Sequence, residues 1–147
     1  MLESITIDHV RQVFDGFEKS YEVENDNQIL FTLEASDEFP HDIQVRFVVE
    51  NDWMKVYALP DDFKIAIGDS ADYLLAVNHY NTWNAGAKGS LMIIKEINMI
   101  TLKLENVFLF TGPVSVEYFV NGCILYSLQE IRCFFDTIED SKKKALE

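Results

Sequence analysis

No apolar run in this chain approaches the roughly 18 residues that a helix needs to cross a bilayer. The opening Met1-Leu2-Glu3-Ser4-Ile5 has neither the basic region nor the apolar stretch of a secretory signal, so the chain reads as cytoplasmic. Cysteine is scarce. Cys123 and Cys133 are ten positions apart, and on one helix that spacing is about 15 Å, too far to bridge. Both are expected to pack in the core of a protein from a reducing compartment. The six glycines are scattered and build neither a phosphate-binding loop nor a nucleophile elbow. The three histidines, His9, His41 and His79, have no second His or Cys at metal-ligand spacing, and the acidic residues do not follow the calcium-loop pattern. The expectation is a protein that is not an enzyme, with no catalytic, cofactor-binding or metal-binding residues and no cofactor.

Positive charge is also in short supply. Twelve Lys and Arg face 25 Asp and Glu, for a net charge of −13 and a pI near 4.5. Nucleic-acid binding depends on basic side chains neutralising phosphates, so this balance argues against a nucleic-acid partner, and equally against an anionic membrane. It fits either simple solubility or the steering of a basic partner. The one basic run, Lys142-Lys143-Lys144, lies in a segment, 142–147, that reads as a solvated tail.

What is present is enough for a single domain spanning 1–147, with 48% apolar residues, 13% aromatic residues and 11 Phe. Val10, Val13, Phe14 and Phe17 fall at helical spacing and predict a helix over 7–19, with Thr6 as its N-cap and His9 exposed. Alternation then predicts strands over 28–34, 42–50 and 53–59, the last two joined by the turn Asn51-Asp52. Residues 63–67 suit either a short strand or an ordered loop. Asp69 or Ser70 opens a middle helix with Leu74, Val77 and Tyr80 as apolar contacts, and Gly86 and Gly89 mark its exit. Residues 89–95 are apolar on both sides and predict a central strand, paired with 100–109 as a hairpin. Ser115 caps a final helix to about Asp140, with Val116, Val120, Ile124, Leu128, Ile131, Phe135 and Ile138 as its stripe. Phe119, Leu125 and Tyr126 lie off that stripe, so the helix needs a second cover, either another element or a second subunit. The order α-β-β-β-α-β-β-α makes an α+β domain, an antiparallel sheet flanked by helices.

The stretch Asn78-His79-Tyr80-Asn81-Thr82-Trp83-Asn84 is polar where a helix tail is usually apolar. Asn78 and Asn81 project along the face of Leu74 and Val77, with Asn84 toward its edge. A buried amide without partners costs about 1–3 kcal/mol, so these amides are predicted to bond backbone of a neighbouring strand or loop. The functional alternative makes this a partner or dimer surface anchored by Tyr80 and Trp83.

The segment Leu74-Leu75-Ala76-Val77-Asn78-His79-Tyr80-Asn81 resembles the "leucines, then Asn-x-x-Asn" helix end of the bacterial YbjN-type family of candidate sensory transduction regulators. The paired strands over 89–109 follow in order, as does a final helix with Val116-Glu117-Tyr118-Phe119 near its start and Ile131, Phe134 and Phe135 near its end. One departure is the hairpin connection, where the family often has glycine and this chain has Ile97-Asn98. The resemblance implies a fold like that of type III secretion chaperones. It also implies a non-enzymatic, homodimeric protein that binds other proteins, chaperone-like or regulatory, in sensory transduction or a stress response. Tyr80, Trp83, Phe119, Leu125 and Tyr126 are the candidate partner or dimer surface. Two further readings stay open: an acidic inhibitor of a basic protein, and a small ligand-binding domain or enzyme with a pocket that carries no motif.

Overall fold

The alternation of apolar and polar residues is realised most fully in the middle of the sheet. In β3 (Ile43–Glu50) Ile43, Val45, Phe47 and Val49 are buried, and in β4 (Trp53–Pro60) Met54, Val56, Ala58 and Pro60 are. Glu50 pairs with Trp53, leaving Asn51-Asp52 as a two-residue turn in which Asn51 takes a positive φ of 43°. The computed structural model describes residues 1–84 and 86–145, so Leu146 and Glu147, the end of the expected tail, lie outside the described residues. With β1 (Glu22–Asn25), β2 (Gln28–Leu33), β5 (Lys88–Ile94) and β6 (Met99–Leu109), the strands form one six-stranded antiparallel sheet in the order β1-β2-β3-β4-β6-β5. The fold is α+β, as the sequence pattern implies. Strand β1 escapes the pattern because its four residues are all exposed and show no alternation.

Strand β5 is not central. It is an edge strand bonded only to β6, and Ile93 is 65% exposed. Nor does Gly89 mark the helix exit: it lies inside β5, buried against the helices. At the β5–β6 turn Asn98 adopts a φ of 53°, taking the left-handed position that glycine would otherwise fill. Residues 63–67 form an ordered loop: Ile65 exchanges two backbone hydrogen bonds with Ile100 (2.7 and 2.9 Å), and the Thr101 hydroxyl donates to the Phe63 carbonyl at 2.9 Å.

Helix α1 (Ile7–Gly16) stops before the expected Lys19. Glu18 turns to a φ of 56°, and the Lys19 amide closes back on the Phe14 carbonyl at 2.9 Å. Phe17 thereby leaves the stripe and is exposed. His9 is not free in solvent: its Nδ1 accepts the Thr6 backbone N–H at 2.9 Å, and its ring stands edge-on to Phe119. Helix α2 (Ser70–Trp83) buries Ala76, Val77 and Tyr80, whereas Leu74, expected inside, is 48% exposed.

The last helix begins where Ser115 Oγ accepts the Tyr118 amide at 3.1 Å. It then runs as a π-helical segment, Tyr118–Leu125, before continuing as α3 (Tyr126–Ala145). The i→i+5 winding rotates the buried face away from the one a 3.6-residue period marks. Ile124, Ile131, Phe135 and Ile138 of the expected stripe are buried, and so is the off-stripe Phe119, while Val116 is left outside. Helical residues continue through Lys142–Ala145, so the described part of the expected tail is helix, with Lys142 Nζ 3.0 Å from Glu139. Cys133, expected in the core, is exposed; only Cys123 is buried.

The core lies between one face of the sheet and the helices. Phe14 packs with Phe31 and Phe47, and a second aromatic set links Phe39, Phe63, Phe135, Phe134 and Tyr80. A Cβ added at Gly89 would lie 2.7 and 2.9 Å from ring atoms of the buried Phe134. Gly89→Ala is therefore expected to cost about 1–3 kcal/mol in denaturant unfolding. Gly68→Ala, with nothing within 4 Å of the new methyl, is expected to stay within about 0.5 kcal/mol of the parent.

Candidate functional site

Helix α2 ends against β5, and the junction is made by the polar stretch rather than by apolar side chains. Asn81 donates from Nδ2 to the Gly89 carbonyl at 3.0 Å and accepts the Gly89 N–H on Oδ1 at 2.8 Å. The side-chain amide thus treats Gly89 as a neighbouring strand would, satisfying both its backbone groups on the edge away from β6. Lys88 Nζ reaches back to the Asn81 carbonyl at 3.0 Å and to the Asn84 carbonyl, placing a cation at the negative end of α2. Asn84 Nδ2 donates to the Tyr80 carbonyl at 2.8 Å, inside its own helix. Asn78 does not share this role. It is exposed, because the buried face of α2 runs through Ala76, Val77 and Tyr80 and leaves Asn78 beyond its rim.

The candidate surface residues separate in the same way. Tyr80 is a core residue: its ring meets Phe134 edge-on at 4.9 Å and its hydroxyl donates to Glu130 at 2.7 Å. Burial, and then the bond to Glu130, hold its proton far above the ordinary phenol range. Phe119 is 1% exposed and cannot contact anything outside the fold; the π-helical winding put it inside. Trp83, at 77% exposure, is open to solvent. Leu125 and Tyr126 are half-buried, and the Tyr126 hydroxyl occupies the space a side chain at Gly86 would need. The structure therefore does not bring the five together. Leu125 belongs instead with Leu128, Gln129, Arg132 and Cys133, which line a shallow, open depression of about 440 Å³ along α3. Leu128, expected on the apolar stripe, is partly buried against the core, whereas Cys133, expected inside, is exposed.

A second hydroxyl–carboxylate pair ties α2 to α3. Tyr73 donates to Glu139 at 2.6 Å, and Lys142 sits 4.5 Å from the centre of the Tyr73 ring. Burial raises the proton affinity of Glu139, but the bonds from Tyr73 and Lys142 outweigh it and hold the carboxyl below its ordinary value of 4.5.

None of this assembles a reactive centre among the described residues. Burial pushes the Cys123 thiol up to about 11, which disfavours a thiolate. His41 lies between Phe39 and Phe63, with Nδ1 3.1 Å from the Asp61 carbonyl, while His79 is exposed on α2. No group of three His, Cys, Asp or Glu that could hold a metal occurs among the described residues, and no helix there is long and apolar enough to cross a membrane.

With this geometry in hand, the chain can be set beside known proteins. No protein-family profile and no curated protein sequence matches it. Among solved structures it is similar to YbjN of E. coli, described as a candidate transcription regulator. The two chains are 12% identical, superpose with a TM-score of 0.66, and are covered over 95% and 94% of their lengths respectively. The fold is YbjN-like. At this identity the likeness extends to the path of the chain and not to its side chains.

Asn81→Ala leaves both Gly89 backbone groups without their partner and is expected to cost about 1–3 kcal/mol in thermal or denaturant unfolding. Asn78→Ala is expected to change stability by less than about 0.5 kcal/mol. The carboxyl of Glu139 is depressed on folding, so it contributes stability above pH 4.5 that is lost as pH falls through its folded value. Glu139→Gln should therefore flatten the acid side of the melting-temperature profile below about pH 4.5 while leaving its shape above pH 6 unchanged.

Proposed function

We propose that this chain is a non-enzymatic, protein-binding regulator of chaperone-like character that works as a homodimer. The observation that carries the reading is the apolar surface left on the outer helices. Trp83, Leu74 and Leu75 are exposed on α2, Val116 and Tyr118 at the start of the last helix, and Leu125 and Leu128 line the open depression on α3. Large side chains in shallow, open relief suit another protein better than a small substrate, which calls for an enclosed, convergent pocket. The similarity to a candidate transcription regulator supports a regulatory setting. Trp83, Leu125 and Tyr126 are the anchors of this reading; Tyr80 and Phe119 have no part in it, being buried.

The strong acidity favours a second reading, an acidic inhibitor of a basic protein. Such a complex forms by electrostatic steering and weakens steeply with salt, whereas one anchored by Trp83 and Leu125 does not.

Light scattering at micromolar concentration is expected to give twice the chain mass of 17.0 kDa, and Leu125→Asp is expected to lower it toward one chain without loss of the folded spectrum. Affinity capture from the native host followed by mass spectrometry should return a partner that Trp83→Ser no longer retains. A monomeric mass removes the dimer, and capture indifferent to Trp83 removes that anchor.

A further inference from the structure

The ladder between β1 and β2 stops at the pair Glu22–Leu30, short of the end of β2 at Leu33. Val49 donates its amide to the Asn27 carbonyl at 2.9 Å, and Asn27 stands two residues before Ile29, which pairs with Phe47. In an antiparallel ladder the bonded pairs alternate, so the odd residues of β2 spend their backbone groups on β3 and the even ones aim theirs at β1. Leu30 meets Glu22 there. The next position in that register, Ser20 opposite Thr32, is outside β1, because the exit of α1 carries the chain away: Glu18 adopts a φ of 56° and the Lys19 amide bonds back to Phe14. The backbone N–H and C=O of Thr32 thus face a gap. One turn further on, the Glu34 carbonyl is already taken by Arg132 Nη2 at 2.7 Å, which closes the end of the gap.

The gap is a groove of about 830 Å³ between 18–22 on one side and 30–34 on the other. Tyr21, Phe31 and Leu33 line it as well, packed partly against the core. Its walls carry the carboxylates of Glu18, Glu22, Glu34 and Asp42 against two cations, Lys19 and Arg132. Arg132 is further engaged by Asp136 at 3.0 Å. The groove is therefore negative in a chain that is itself at −13.

We infer that this groove takes an extended, basic segment of a partner protein, which adds to the sheet beside Thr32. The occupant pairs its backbone with the free N–H and C=O of Thr32, sets apolar side chains on Phe31 and Leu33, and places Lys or Arg against Glu22 and Glu34. Strand addition supplies affinity without regard to side-chain identity, and the acidic walls supply the choice of a cationic segment. The inference rests on the protein-binding reading above and adds to it a site distinct from the outer helical surface.

The test uses the full chain and a fluorescent short peptide alternating lysine and valine, with a second version N-methylated at alternate backbone amides. Saturable binding by anisotropy is expected, with hydrogen exchange slowed at Thr32 and its neighbours. N-methylation should weaken binding at least about tenfold, because charge and side chains remain but strand pairing does not. The double reversal Glu22→Lys with Glu34→Lys should do the same, while Glu96→Lys with Asp140→Lys, an equal change of net charge elsewhere, should cost less than about threefold. Equal losses from the two double reversals, or indifference to N-methylation, would reduce the binding to general electrostatics and overturn the groove. Protection confined to the outer faces of α2 and α3 would also overturn it while upholding the protein-binding reading. Absence of saturable binding overturns the groove alone, since capture of a native partner through Trp83 is read independently.

Discussion

The contact between Asn81 and Gly89 ties the end of α2 to the edge strand β5. A helix of mixed polarity has little apolar surface with which to hold an edge strand, and α2 exposes Leu74 and Leu75 while burying mainly Ala76, Val77 and Tyr80. The amide of Asn81 compensates by bonding both backbone groups of Gly89, each bond directional and sensitive to register. Glycine is required opposite it because Phe134 fills the space of a Cβ. Gly89 is thus where α2 and α3 both close on β5, while the register of β5 is carried by its ladder with β6. Lys88 follows from the same geometry, since its backbone neighbour is held and its ammonium falls beside the end of α2.

A second constraint, the π-helical segment 118–125, decides which residues of the last helix meet the world outside. The wider winding carries Phe119 under His9 and into the core, and leaves Val116 and Tyr118 exposed. Downstream, Ser127 bonds back to the Cys123 carbonyl at 2.6 Å where the α-helical winding resumes. The depression along α3 and the groove beside β2 lie on two sides of Arg132, which lines both.

Much of the fold is legible in the residues because local rules and burial agree there. Strands β3 and β4 alternate as half-buried strands should, Ser115 caps the last helix, and Asn51 turns where a residue tolerant of positive φ is needed. Less of the candidate surface is legible. Asn81 stands out as a polar residue on an apolar face, but Asn78 carries the same local signal and ends in solvent, because the width of the buried face depends on how α2 is rolled against α3. Phe119 is buried although it lies off the stripe, because helix periodicity is counted at one pitch and the chain changes pitch. The groove beside β2 leaves no mark in composition; it arises from the angle at which the end of α1 releases the chain.

By itself the sequence determined the class of the fold, the β3–β4 and β5–β6 hairpins, the acidity and the absence of any motif for chemistry, since each of these is written in short-range pattern or in totals. Only the tertiary structure decided that β5 lies at the edge, that Tyr80 and Phe119 face inward, that Trp83 faces out, and that Thr32, paired with Gln44 of β3, has no β1 residue opposite it. The reason is physical. Which side of an element is covered depends on the other elements that pack on it, and no window along the chain contains them.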